Sequence, residues 1–170
     1  MISQRGIEPN PKNIAAVKAM QSPRTQKEAQ CPTGRIAALT RFISRTGDRS
    51  LPFFKVINKG REFERTPECE KSFQELKSYL KSPQLLVRYG AGDVLQLYLE
   101  ISESALSSVL IREEAKVQRP IDYVSRVMRG AETRYPLMEK LVYFLIVAAR
   151  KLKPYFDAHQ VEIITDQPLR

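Results

Sequence analysis

VLQLYLEI, residues 94–101, decides how this chain is read. Leu95, Leu97, Leu99 and Ile101 alternate with Gln96, Tyr98 and Glu100. A period of two places the first set on one face of a strand and the second on the other, so the segment is a half-buried strand. Ala105–Arg112 and Pro120–Ser125 have the same character and are separated by a charged turn, which predicts an antiparallel meander. From Tyr135 to Leu152 the pattern becomes that of a long helix, apolar nearly all round and therefore expected to be buried. VEIIT, residues 161–165, is a fourth strand that runs into Asp166. Strand, strand, strand, helix, strand builds a mixed sheet with a helix packed on it. One edge of that sheet is left open after the fourth strand, which is costly in water. The expectation is a chain cut short.

Upstream the character is helical, which makes the whole an α+β chain. Asn10-Pro11 is an N-cap followed by proline at the first helical position, and Ile14, Val17 and Met20 share one stripe. Pro23 stops that helix. Thr25 and Glu28 have capping-box spacing for a second one, with Ile36, Leu39 and Ile43 on one side and Arg35, Arg41 and Arg45 on or near another. Pro32 predicts a kink or a late start, and Gly47-Asp48 is expected to end the unit. LPFFKVI (residues 51–57) then leads into a charged connector. Thr66-Pro67 repeats the cap-plus-proline start, Phe73, Leu76 and Leu80 follow at helical spacing, and Ser82-Pro83 closes the helix.

Charge divides the chain in the same place. The 170 residues carry a net charge of +9; residues 1–90 hold 17 Lys/Arg against 8 Asp/Glu, and residues 91–170 hold 11 of each. A half-chain this basic suits a polyanionic partner, and a soluble basic surface with no partner accounts for it equally well. Arg35, Arg41, Arg45, Arg49 and Lys55 are the candidate phosphate contacts. The longest apolar run, Leu141 to Ala149, is too short to span a bilayer, and MISQRGIEPNPKN is no signal peptide. No membrane partner is expected. Cys31 and Cys69 have no nearby Cys or His, so they read as reduced thiols of an intracellular protein rather than a metal site.

Three carboxylates carry the chemical interest: Glu100 on the first strand, Glu139 on the long helix and Asp166 at a strand's carboxyl end. Strand ends of that kind favour ligand sites, and three converging carboxylates hold two divalent cations about 4 Å apart for phosphodiester hydrolysis. Each has a plainer account. Glu100 alternates to the solvent side, Asp166 before Gln-Pro is a turn residue, and Glu139 in a first helical turn complements the helix dipole.

A resemblance now joins these pieces. GIEPNPKNIAAVKAMQSPRTQKEAQCPTGRIAALTRFI looks like the helical thumb that follows the polymerase palm in reverse transcriptases of gypsy-type long-terminal-repeat retrotransposons. FERTPECEKSFQELKSYLKSPQLL is similar to the connecting helix, and QRPIDYVSRVM, ETRYPLMEKLVYFLIVAARKLKPYF and IITDQPLR resemble successive elements of the ribonuclease H-like domain. The resemblance implies residues 1–50 as thumb-like helices, 51–88 as connection and 89–170 as an incomplete ribonuclease H-like domain of a Pol polyprotein. It implies two Mg2+ or Mn2+ ions held by Glu100, Glu139 and Asp166, hydrolysis of the RNA strand of RNA–DNA hybrids, and a cytoplasmic particle or the nucleus as location.

The match departs from the family pattern in three places. Glu100-Ile101-Ser102 stands where the family has an aspartate, a small residue and a serine; Gln167 replaces the usual His; the fourth carboxylate would lie beyond Arg170. Glutamate lengthens the ligand arm by roughly 1.5 Å, and a misplacement of about 1 Å costs about a hundredfold in rate. No paired aspartates of the polymerase kind occur, so DNA synthesis is excluded for this chain. Two functional readings therefore stand: a ribonuclease H-type nuclease, weak or inactive here, and a non-catalytic nucleic-acid-binding remnant that uses its basic half.

Overall fold

A computed structural model describes residues 2–3, 6–22, 25, 28, 36, 38–57, 66–82, 84–90 and 92–167. Two short strands, β1 (Ile2–Ser3) and β2 (Gly6–Ile7), pair antiparallel at the start. Nothing in the sequence pattern announced them. Ile7 and Leu86 exchange backbone hydrogen bonds of 2.7 and 3.1 Å, which laces this ribbon to the segment before the sheet. Gly6 sits at φ +140°, where a Cβ would lie 2.3 Å from the Leu86 carbonyl oxygen, so only glycine fits.

The helix starts follow their caps. In α1 (Pro11–Ala19) the Asn10 side chain accepts from the Lys12 N–H at 2.9 Å. The Glu28 N–H reaches Thr25 Oγ1 at 3.2 Å, as the capping pattern requires. A single turn of 3-10 helix covers Thr40–Phe42, and then α2 runs from Thr46 to Ile57. Here the expectation fails: Gly47-Asp48 opens a helix instead of ending one. Asp48 in the first turn complements the dipole, and Gly47 lies so close to the sheet that its missing side chain matters more than its flexibility. The run LPFFKVI is accordingly helical, with Pro52 inside it. Thr66 caps α3 (Pro67–Tyr79), accepting from the Cys69 N–H at 3.2 Å. Ile36, Leu39 and Ile43 bury together with Val17, Leu76 and Leu80, so the predicted stripe is a core even though Leu39 to Ile43 is turn and 3-10 helix.

The second half is a four-stranded mixed sheet. β3 (Leu95–Ile101), β4 (Ala105–Glu114) and β5 (Val117–Val127) form the antiparallel meander, and β6 (Val161–Ile164) pairs parallel to β3, giving the order β5-β4-β3-β6. A register shift at Leu110/Ile111 accommodates Pro120, which has no N–H for the ladder; its carbonyl accepts from the Val87 N–H at 2.9 Å. A second 3-10 segment (Gly130–Arg134) leads into α4 (Leu137–Lys151), and α5 (Lys153–Ala158) follows before β6. Leu95, Leu97, Leu106, Leu110, Ile121 and Val124 pack under Phe144, Ala148 and Leu152. The α4 helix is not buried all round. Leu141, Phe144 and Ala148 form its buried stripe, while Leu137, Met138, Val142 and Ile146 are exposed. A helix on one face of a sheet covers only the side that touches it, whatever the composition of the other side. No described helix is long and apolar enough to cross a membrane.

Candidate active site

Alternation along β3 fixes where Glu100 points. Leu95 and Leu97 lie against α4, so Gln96, Tyr98 and Glu100 belong to the opposite face, in register with Ser107 of β4 and, beyond it, Ser125 of β5. That face is covered by the 40s segment and the start of α2. The Arg45 guanidinium lies 3.2 Å from Glu100 Oε1 and 3.6 Å from Asp48 Oδ2, an ion pair with each; the Arg45 and Glu100 side chains are 50% and 55% exposed. Asp48 Oδ1 accepts from the Ser102 hydroxyl at 2.6 Å and from Ser104 at 3.4 Å. Ser102 in turn accepts from the Ala105 N–H at 2.9 Å, which closes the β3–β4 turn.

The carboxyl ends of β3 and β6 lie side by side because the two strands are parallel. A recess of about 220 Å³ forms there, lined by Glu100, Asp166, Thr165 and Gln167 together with Leu137 and Leu141 of α4. The structure thus brings Glu100 and Asp166 to one recess. Glu139 lies on the first turn of α4 between two lining leucines, is exposed, and does not line the recess itself. Among the described residues, no three His, Cys, Asp or Glu side chains are grouped so as to hold a metal ion. The donor set does not fit a pair of divalent cations: one carboxylate is ion-paired with a guanidinium, and another stands outside the recess.

The basic residues are also placed. Arg41 donates to Asp122 Oδ2 at 3.0 Å and lies 3.3 Å from the Tyr155 hydroxyl, which joins the 3-10 turn to β5 and α5. Burial pushes the Asp122 carboxyl above its ordinary 3.8, although Arg41, Tyr155 and the Tyr123 backbone N–H all pull it down. Burial, and then the charge of Asp122, pushes the Tyr155 phenol up to about 12. Arg49 donates to the Ser44 carbonyl at 3.1 Å and stacks 4.8 Å over the Tyr79 ring. Arg35 and the side chain of Lys55 lie outside the described residues. Asp48, read in the sequence only as part of a helix end, and Asp122 were not among the candidate site residues. A carboxylate at 122 between Ile121 and Tyr123-Val124, next to the buried Ile121, was the one available signal for a partly buried ion pair.

A meander of three strands, a helix laid across it and a fourth strand returning parallel to the first define a ribonuclease H-like fold, with an acidic recess at the shared strand ends. Residues 66–163 match the family described as the RNase H-like domain found in reverse transcriptase, and the chain belongs to that family. The Transposon Tf2-3 polyprotein of Schizosaccharomyces pombe is 24% identical over 168 residues, covering 97% of this chain and 13% of the polyprotein. The Tf2-4 polyprotein of the same organism matches to the same extent. This chain therefore spans only a small part of those relatives. Among solved structures, the foamy viral protease-reverse transcriptase in complex with dsDNA superposes with a TM-score of 0.79 at 22% identity, over 98% of this chain and 35% of that one. The same viral protein in complex with RNA/DNA hybrid gives 0.79 at 22% identity, over 95% of this chain and 22% of that one.

Proposed function

We propose that this chain is a nucleic-acid-binding, ribonuclease H-like module of a retrotransposon reverse transcriptase polyprotein, in which hydrolysis of the RNA strand is weak or absent. Residues 1–50 serve as thumb-like helices, 51–88 as connection and 89–170 as the ribonuclease H-like domain. The observation that carries the reading is the state of the three family carboxylates. Glu100 and Asp166 share the recess, but Glu100 is ion-paired with Arg45, and Glu139 stands outside the recess.

Binding is supported by the charge of the first 90 residues, 17 basic against 8 acidic, and by the nucleic acids held by the foamy viral relatives. Arg41, Arg45 and Arg49 are engaged within the protein, so exposed Lys12, Lys18, Lys71 and Lys81 join them as phosphate contacts. Such contacts release counterions, and the four lysines by themselves give a log–log salt slope of about −4.

The test uses the whole chain and a labelled RNA–DNA hybrid. Anisotropy should report binding at low salt that is lost steeply as salt rises, and gel analysis with Mg2+ should show little or no cleavage. Salt-indifferent binding, or none, refutes the binding role. Robust Mg2+-dependent cleavage that disappears in Glu139→Gln or Asp166→Asn establishes the catalytic reading instead.

A further inference from the structure

The ribonuclease H-like family places divalent cations at its strand-end carboxylates, and the side chains present here do not fit that arrangement. We infer that Arg45 is the resident cation of this site: its guanidinium, rather than a metal ion, is the counter-ion shared by Glu100 of β3 and Asp48 of α2.

Position comes first. Arg45 sits at φ +54°, a left-handed conformation that is unfavourable for a non-glycine residue and persists where the surroundings impose it. The surroundings do so from both sides. Buried Thr46 donates its hydroxyl to the Ile43 carbonyl at 2.7 Å, and the Arg49 N–H closes the first helical bond onto the Arg45 carbonyl at 3.1 Å. The Gly47 N–H donates to Ser125 Oγ at 2.9 Å, and a Cβ on Gly47 would come within 2.8 Å of that oxygen and 3.0 Å of the Ala105 Cβ. The backbone that carries Arg45 is thus pinned to β4 and β5, with its side chain aimed along the polar face of the sheet.

Orientation comes second. One Asp48 oxygen is held by Ser102 and Ser104, which leaves the other for Arg45, while the second arm of the guanidinium reaches Glu100. A planar fork of five donors suits two carboxylates at once, in a way an ammonium does not. The longer glutamate arm, which would overshoot an aspartate's ligand position, is the length that meets Arg45. Because Arg45 and Glu100 are both about half exposed, solvent screens each contact and it adds little to stability. The inference is therefore read by cation competition rather than by stability.

Manganese titration followed by electron paramagnetic resonance, without nucleic acid, separates this inference from the proposed function: hybrid binding can fail while the ion pair stands. The wild-type chain should bind Mn2+ only weakly. Arg45→Met leaves Glu100 and Asp48 without their cation and should tighten Mn2+ binding about tenfold, and Glu100→Gln in that background should remove the gain. Arg45→Lys should fall between. Tight Mn2+ binding by the wild type that is lost in Glu100→Gln overturns the inference, as does an Arg45→Met chain that folds and binds Mn2+ no better. If Arg45→Met fails to fold, the Arg45 Nη2–Hη2 resonance decides, because Nη2 is the nitrogen that meets Glu100. A shift of that signal in Glu100→Gln supports the pair, and an unchanged signal overturns it.

Discussion

Replacing Arg41 with methionine removes one of the ion pairs that tie the helical half to the sheet. Arg41 and Asp122 are 3.0 Å apart, with side chains 41% and 14% exposed. At an effective dielectric near 20 the gross attraction is about 5 kcal/mol, but burial of the carboxylate opposes it. Burial wins for Asp122, because its carboxyl is held above 3.8 in spite of the arginine. The two partners are therefore unequal. Asp122→Asn removes a charge that folding disfavours and should cost less than about 1 kcal/mol. Arg41→Met leaves that charge with Tyr155 and one backbone N–H, and should cost about 2 kcal/mol; the full 3–5 kcal/mol of a wholly buried pair is reduced by the exposure of Arg41. The loss is partly offset because Arg41 Nε is itself buried with no hydrogen-bond partner among the described residues. The double variant should return close to wild type.

The pH dependence of that pair follows with its sign. A carboxyl whose folded value is raised binds its proton more tightly folded than unfolded, so its contribution to stability is fully present below 3.8 and is lost as pH rises through the folded value. The Arg41→Met deficit should accordingly shrink on acidification towards pH 4. Urea denaturation of the four proteins at pH 7 and near pH 4 measures all of this. An Asp122→Asn loss as large as that of Arg41→Met, or an Arg41→Met deficit that grows in acid, would refute the reasoning.

Phe144→Ala empties the middle of the sheet–helix core, where Phe144 is fully buried, and should cost about 3–5 kcal/mol by urea denaturation. Ser108→Ala should be neutral or stabilising by about 1 kcal/mol, since the buried Ser108 hydroxyl has no partner among the described residues; a clear loss in the same assay would contradict that. Glu132 is pushed up by burial but held below 4.5 overall by the Arg129 N–H, the Tyr143 hydroxyl and Arg126, so it stabilises the fold above 4.5 and that contribution fades as pH falls through its lowered folded value. Glu132→Gln should be destabilised at pH 7 and converge on wild type in acid, which thermal melts across that range would reveal.

Period-two alternation is unusually clean in VLQLYLEI, and it was enough to read β3 and, from it, the meander, the helix and the returning strand. The caps at Asn10 and Thr66 were equally legible, because a side-chain oxygen before a proline has few other uses. Three features were not. Gly47 reads as a helix terminator on its own, and only its contact with Ser125 and Ala105 shows that it is there for closeness. The β1–β2 ribbon is too short for any periodicity and depends on Leu86, some eighty residues away in sequence. The composition of α4 suggested burial on all sides, but burial is set by what lies against a helix. In the candidate site, the three carboxylates were legible as residue types. The cation that meets Glu100 was not, because Arg45 comes from a different half of the chain and a contact over that separation leaves no trace in local pattern.

The parallel pairing of β3 with β6 also orders assembly. The β3–β4 hairpin closes across Ser102–Ser104, whereas β6 reaches β3 only after roughly sixty residues of intervening chain have been gathered in. Closing the longer loop costs roughly 2–3 kcal/mol more chain entropy, and it is offset only once α4 has packed on the meander. The meander pairs without β6, so the returning strand is expected to dock last and to be the first to leave. Asp166 travels with it. The recess shared by Glu100 and Asp166 is accordingly the final part of the domain to take shape, and amide hydrogens of Val161–Ile164 exchange ahead of those at the centre of β4.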